Sequence, residues 1–258
     1  AMKQFKILIL LLTVFSCSKE DKTTPEVDKQ DCKITNKIAT INFHAYLQDN
    51  DLVCRVVYEN NRMKEFNSKV LRAVFTHNAN GHLIKKEIFG VGNPQVVERT
   101  EYKTNSSGQI IESKSWEFDD NVPDYLGKIT YKYANSKLVE VKQYYTDDVK
   151  VSGILELIWT DDNPTTLNSK DGNGALEFSK YFTYDLSKAN IFNSTFPNFM
   201  FYDISNDDLI VSHLLGKNTL MSVNRGSAND TETYNYTLHS NGLTDELTID
   251  GIKFWKFQ

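Results

Sequence analysis

The chain reads as an all-β protein: an antiparallel β-hairpin meander forming a curved sheet or barrel-like single domain, with at most one short helix. Three observations predict this. Apolar and polar residues alternate strictly in short runs such as Lys128-Ile129-Thr130-Tyr131-Lys132-Tyr133, the pattern of a strand with one buried and one wet face. Clusters of Asn, Asp and Gly separate the runs, supplying the backbone conformations that tight turns need. One turn frame is also written twice, 27 residues apart, in FTHNANGHLI (Phe75 to Ile84) and YKTNSSGQII (Tyr102 to Ile111).

Taken in order, residues 1–16 read as an export signal. Ala1 stands ahead of Met2 and is set aside as an appended residue. Lys3 and Lys6 form a short basic region before the apolar run ILILLLTVF at residues 7–15. A run of nine is too short to span a bilayer as a helix, which takes about 20 residues. Val14-Phe15-Ser16-Cys17 resembles a bacterial lipobox, with Cys17 the lipid-modified first residue of the mature chain; Phe15 is bulkier than usual inside it. Lys19, Glu20 and Asp21 resemble the signal that sends Bacteroidota lipoproteins to the outer cell surface. Residues 17–31 carry one larger apolar residue, Val27. They cannot bury enough surface to order themselves and read as a flexible tether with a reach of roughly 20 Å. The expected location is the outer membrane, lipid-anchored and exposed at the cell surface, with the periplasmic face as the alternative.

The β-meander domain is expected over residues 32–258. In the repeated frame, Asn78 and Asn105 bond their own backbone across the turn while Gly81 and Gly108 supply positive φ. A shorter turn recurs in Tyr58-Glu59-Asn60-Asn61-Arg62-Met63 and Tyr133-Ala134-Asn135-Ser136-Lys137-Leu138. Asn241-Gly242 closes the series. The prolines are expected in the breaks between strands, where a missing N–H costs no ladder bond. Ser205-Asn206-Asp207-Asp208, Leu209-Ile210-Val211 and Gly216 carry the capping pattern of the one short helix.

Composition excludes some functions. The net charge is −5, and losing residues 1–16 removes two lysines and no acid, leaving −7. Such a domain gains nothing from counterion release on nucleic acid. Cys32 and Cys54 remain once Cys17 is acylated, in an oxidising compartment. Joined, they would close a loop of about 22 residues worth about 3 kcal/mol; separate, they are two thiols, and the spacing leaves both states open. Neither has zinc-ligand neighbours.

No catalytic or cofactor motif emerges. Asp171-Gly172-Asn173-Gly174 resembles a calcium loop, but Lys180 then occupies the position that needs a bidentate Glu, and a hairpin turn explains the same residues. The acid pairs Asp119-Asp120, Asp147-Asp148, Asp161-Asp162 and Asp207-Asp208 select no glycosidase geometry. No metal, cofactor or catalytic residue is expected. Aromatic residues are mostly the buried half of the alternation; Trp116, Tyr144, Tyr145 and Trp159 are the candidates for stacking on a ligand. An integral outer-membrane barrel also alternates, but the strands here are hydrophilic.

His77-Asn78-Ala79-Asn80-Gly81-His82-Leu83 resembles the Tyr-Asp repeat of large secreted shell proteins, with His and Asn in place of Tyr and Asp. The mature chain as a whole is similar to a family of uncharacterised Bacteroidota lipoproteins. The residues carrying that likeness are Phe182-Thr183-Tyr184-Asp185, Lys188-Ala189-Asn190, Gly216-Lys217-Asn218 and Tyr234-Asn235-Tyr236. The resemblance implies a porin-like, curved antiparallel sheet and brings no known activity. The expected function is a non-enzymatic envelope lipoprotein that binds a glycan or a protein and contacts outer-membrane lipid through acylated Cys17. The alternatives are a structural or shielding envelope component without a specific ligand, and a hydrolase with an unrecognised site.

Overall fold

A computed structural model describes residues 38–47, 50–60, 62–190, 216–226, 230–238, 244–250 and 252–257. Among the described residues there are sixteen strands and no helix. The first half comprises β1 (Ile38–Leu47), β2 (Asn50–Glu59), β3 (Arg62–Asn67), β4 (Leu71–His77), β5 (Leu83–Gly90), β6 (Val96–Thr104), β7 (Ile110–Asp119) and β8 (Val122–Ala134). The second comprises β9 (Lys137–Tyr144), β10 (Val151–Thr160), β11 (Asn163–Asp171), β12 (Leu176–Ala189), β13 (Asn218–Asn224), β14 (Thr231–Leu238), β15 (Thr244–Ile249) and β16 (Ile252–Phe257). The helix expected from Ser205 onward and the Asn241-Gly242 turn lie outside the described residues.

Every strand pairs antiparallel with its chain neighbours, and β1 pairs with β16 through Phe43 opposite Phe257 and Ala45 opposite Trp255. The meander therefore closes into a barrel, which leaves no sheet edge to aggregate. An even number of antiparallel strands places Ile38 and Phe257 at the same rim, the near rim. The β4–β5, β6–β7, β8–β9 and β10–β11 turns share it; the β3–β4, β5–β6, β7–β8, β9–β10 and β11–β12 turns lie at the far rim, with those of β1–β2, β13–β14 and β15–β16.

The expected turn chemistry is present at both rims. Asn78 N–H donates to the His82 carbonyl (2.9 Å), Gly81 N–H to the Asn78 carbonyl (2.8 Å) and His82 N–H to Asn78 Oδ1 (3.0 Å). Asn105, Gly108 and Gln109 repeat these bonds at 2.9, 3.0 and 3.0 Å. A third copy at the far rim runs from Asp171 to Ala175, with Asp171 Oδ1 accepting from Asn173 and Ala175 N–H. The register slips by one residue before each turn, leaving His77 opposite Leu83, Thr104 opposite Ile110 and Lys170 opposite Leu176. The frame is thus a bulge, an Asx-anchored reversal and a fixed exit. The shorter turns are two-residue reversals, with Asn135 and Ser136 at φ 50° and 64° and Asp120 and Asn121 at 48° and 65°, the left-handed pair of a type I′ hairpin. Pro123 and Pro164 depart from expectation: each is the second residue of a strand, opposite Phe118 and Trp159, and Pro164 is also beside a register slip. Strand starts and bulges tolerate a missing donor.

Turns at the near rim also lean on one another. Gln109 Nε2 donates to the Ser136 carbonyl (3.3 Å). Lys137 donates to the Asp161 carbonyl and pairs with Asp162 (3.2 Å), which also pairs with Lys217 (3.3 Å). Beside them, Asn163 and Asn218 exchange two hydrogen bonds at 3.0 and 2.9 Å, and Asn190 Nδ2 donates to the Gly216 carbonyl (2.6 Å). These asparagines bring Lys188-Ala189-Asn190 and Gly216-Lys217-Asn218 together across 25 intervening residues of sequence.

One face of the sheet is buried. Leu71, Ala73 and Phe75 of β4 are buried while Arg72 between them is exposed, and Ile110, Leu167 and Tyr234 are fully covered. In a one-layer closed sheet, the face that covers itself is the interior, where each large apolar side chain contributes about 1.5–3 kcal/mol. The opposite face is charged. Glu65 pairs with Arg72 (2.8 Å), Glu87 with Lys85 (2.9 Å) and Arg99 (3.1 Å), Glu140 with Lys142 (3.2 Å) and Glu156 with Lys170 (2.6 Å). Arg72 and Arg99 lie over the rings of Phe89 and Phe118. Barrels that span an outer membrane carry an apolar band about 25 Å tall in that position; among the described residues, this face carries those ion pairs.

Candidate functional site

Two strands and one turn build the densest group of aromatic and charged side chains on the outward face. Lys114 and Trp116 are alternate residues of β7, so both face out; Tyr125 lies opposite Trp116 on β8. Their rings are 5.5 Å apart at 44°. At this point β8 bends: the register slips between Ser115 and Trp116, and Gly127 adopts φ 119°. A Cβ on Gly127 would stand 2.7 Å from the Tyr144 carbonyl oxygen. The missing side chain is what lets β9 pass so close.

The β9–β10 turn then folds against β7 and β8. Tyr145 N–H donates to the Lys150 carbonyl (2.9 Å) and Asp148 N–H to the Tyr145 carbonyl (3.0 Å). Its two adjacent acids do different work. Asp147 accepts the N–H groups of Val149 and Lys150 at 2.9 Å each, which holds its carboxyl below the usual range. Asp148, at φ 59°, turns towards the strands and accepts from Lys114 Nζ (2.6 Å) and the Tyr125 hydroxyl. Those two donors hold the Asp148 carboxyl low, while the same contact raises Lys114. Burial, and then the Asp148 contact, push the Tyr125 hydroxyl up. Lys128 donates to the Asp148 carbonyl (2.8 Å) and sits 4.4 Å above the Tyr144 ring; Lys150 lies 5.2 Å over Tyr145.

Chemically the group is a clamp. Both Asp148 oxygens are engaged and its proton is gone, so it offers neither an acid nor a free base. It fixes the Tyr125 ring, on which Trp116 packs, while Lys114, Lys128 and Lys150 lie over the rings of Tyr125, Tyr144 and the half-exposed Tyr145. Rings and donors in that mixture suit the flat apolar faces and hydroxyls of a sugar.

Three of the four rings expected to stack are therefore gathered here. Trp159 lies apart, towards the near rim, with its indole N–H on the Leu138 carbonyl (2.8 Å) and Lys137 over its ring. Cys54 sits in β2 opposite Phe43. Cys32, Cys17, Lys19, Glu20 and Asp21 lie outside the described residues. Asp171 is occupied by its turn. Among the described residues, no three His, Cys, Asp or Glu side chains gather as metal ligands.

Two features escape a reading of the sequence. The Asp148 clamp is one, because Asp147-Asp148 looks like an ordinary solvated pair. The other is a polar layer inside the barrel. Lys86, 2% exposed, is opposite Phe75 and Thr100 in the inward row and approaches Glu98 at 3.4 Å. Beside it, Thr100 bonds Ser115 and Ser113 bonds the Tyr131 hydroxyl, both at 3.1 Å. The sign of that layer was in the sequence, as Lys86 has the parity of Ile88, but the register is needed to see it.

The crystal structure of a porin-like protein from Bacteroides uniformis overlays 86% of this chain and 98% of its own length, with a TM-score of 0.58 and 13% identity. The fold is porin-like. That likeness is one of architecture. Two structures of the TcdB2–TccC3 assembly, one with Cdc42 and one without the hypervariable C-terminal region, overlay 81% of this chain but 10% of theirs. Their TM-scores are 0.32 and 0.34, at 12% and 14% identity, short of a shared fold. No protein-family model matches the chain, and no curated protein matches it at a significant level.

Proposed function

We propose that this chain is a non-enzymatic envelope lipoprotein of the Bacteroidota type, held by acylated Cys17 and displayed at the cell surface on the tether of residues 17–31, and that it binds a glycan. The observation carrying this reading is the gathering of Trp116, Tyr125, Tyr144 and Tyr145 around Asp148 on the outward face. Rings held by a turn and two strands lose little freedom on binding, so stacking contributes to affinity undiminished. The charged exterior supports anchoring by lipid in place of insertion.

The test is a glycan array probed with the purified chain, followed by titration of any hit. Saturable binding that weakens at least tenfold in Trp116→Ala and Tyr144→Ala is expected. An array silent for the wild type, or binding that survives both substitutions, overturns the reading.

A further inference from the structure

The far rim carries a second surface, which adjoins the aromatic clamp at the β9–β10 turn. Five of its turns, from β3–β4 to β11–β12, each present one exposed aliphatic side chain: Val70 at 46%, Val91 at 58%, Val122 at 66%, Val149 at 80% and Leu176 at 60%. The last three are spaced 27 residues apart, once per pair of hairpins. Leu176 shows that this is a property of the rim and not of the turn. It holds the exit position of the Asx-anchored frame, which in the two near-rim copies is Leu83, 8% exposed, and Ile110, fully buried. The same local device covers its aliphatic residue at one rim and bares it at the other. Isolated exposed aliphatics are ordinary; tips on five successive turns of one rim form a patch.

Charge says what the patch fits. Val122 stands among Asp119, Asp120 and Asp124 with no base in that turn, and Leu176 stands between Asp171 and Glu177, again with none; Val149 between them adjoins Asp147 and Asp148 on one side and Lys150, whose ammonium is held over the Tyr145 ring, on the other. A second copy of this rim, or an anionic lipid surface, would meet these carboxylates with like charge. A basic surface would be attracted. Spacing narrows it further. Hairpin tips recur every second strand, about 10 Å apart, which matches helical residues seven positions apart, about 10.5 Å.

We propose that the far rim docks a basic amphipathic helix of a protein partner, its aliphatic residues seating on Val122, Val149 and Leu176 and its Lys or Arg residues pairing with the turn carboxylates.

The test uses the purified full chain and a lysine-rich helical peptide with leucine at every seventh position, read by fluorescence anisotropy. Saturable binding is expected, weakened at least tenfold by the double variant Val122→Ser/Leu176→Ser, by Asp119→Asn/Asp120→Asn, and by raising salt from 50 to 300 mM, about one to several ion contacts' worth of screening. Leu186→Ser, an exposed residue far from this rim, is expected to leave it unchanged. No saturable binding, equal binding of a scrambled peptide of the same composition, or indifference to Val122→Ser/Leu176→Ser overturns the proposal. So does association with anionic vesicles, or self-association, that disappears in that same double variant, since either result assigns the tips to a different occupant.

Discussion

Replacing Gly127 by Ala tests the link between one backbone position and the outward clamp. Two costs arise there and can be separated. At φ 119° an L side chain is strained, which costs about 1–3 kcal/mol. The added Cβ would also stand 2.7 Å from the Tyr144 carbonyl oxygen, a backbone atom that moves only if β9 moves; such overpacking costs about 1–3 kcal/mol more. Alanine's stiffer unfolded chain returns about 0.4–1 kcal/mol. The expected loss is about 2–5 kcal/mol, a large share of the 5–15 kcal/mol typical of a folded domain. Gly174→Ala is the internal control: φ is 88°, and nothing lies within 4 Å of its Cβ. It carries the strain without the clash and should cost about 1 kcal/mol. Urea unfolding followed by tryptophan fluorescence measures both. Equal losses for the two variants would refute the claim that close approach of β9, and not φ alone, demands glycine at 127.

Three further outcomes are expected. Asp148→Asn should cost about 1 kcal/mol at pH 7, discounted for the exposure of Lys114. Because the folded carboxyl titrates below its ordinary value of about 3.9, its contribution is complete above that value and is lost as pH falls through the folded pKa. The gap between wild type and variant should therefore close in acid, and a gap that persists at pH 2 in chemical unfolding would contradict the clamp. Leu83→Ala should cost about 2–5 kcal/mol and Leu176→Ala under about 0.5 kcal/mol, although both hold one position in one turn frame; thermal scans that rank them equally would show that the rims do not differ. Asn163→Ala should cost about 1–3 kcal/mol by stranding the Asn218 amide, seen as earlier unfolding in urea.

What could be read from the sequence was what neighbours in the chain decide. Asn78 with Gly81 and Asn105 with Gly108 announce a reversal because the amide and the missing Cβ act within four residues. The alternation of residues 128–133 announces a strand for the same reason. Closure does not act locally: Phe43 meets Phe257 only when every intervening register is set. The third copy of the turn, at Asp171, was obscured by its likeness to a calcium loop, since Asp followed by glycines serves both ends. Asp148 could not be told from Asp147, because what separates them is a backbone angle and the approach of Lys114 from 34 residues away. Lys86 looked like one more surface lysine until pairing placed it in the row of Phe75 and Thr100. Pro123 and Pro164 misled in the opposite sense, marking strand starts as breaks.

We propose that the barrel has a water-facing exterior and is held at the envelope by lipid and not by its strands. Expression of Cys17→Ala in a lipoprotein-processing bacterium, with palmitate labelling and membrane fractionation of the product, tests this proposal most directly. Label should be lost and the folded chain should leave the membrane fraction. A folded, unlabelled chain that remains in the membrane and needs detergent for extraction would contradict it.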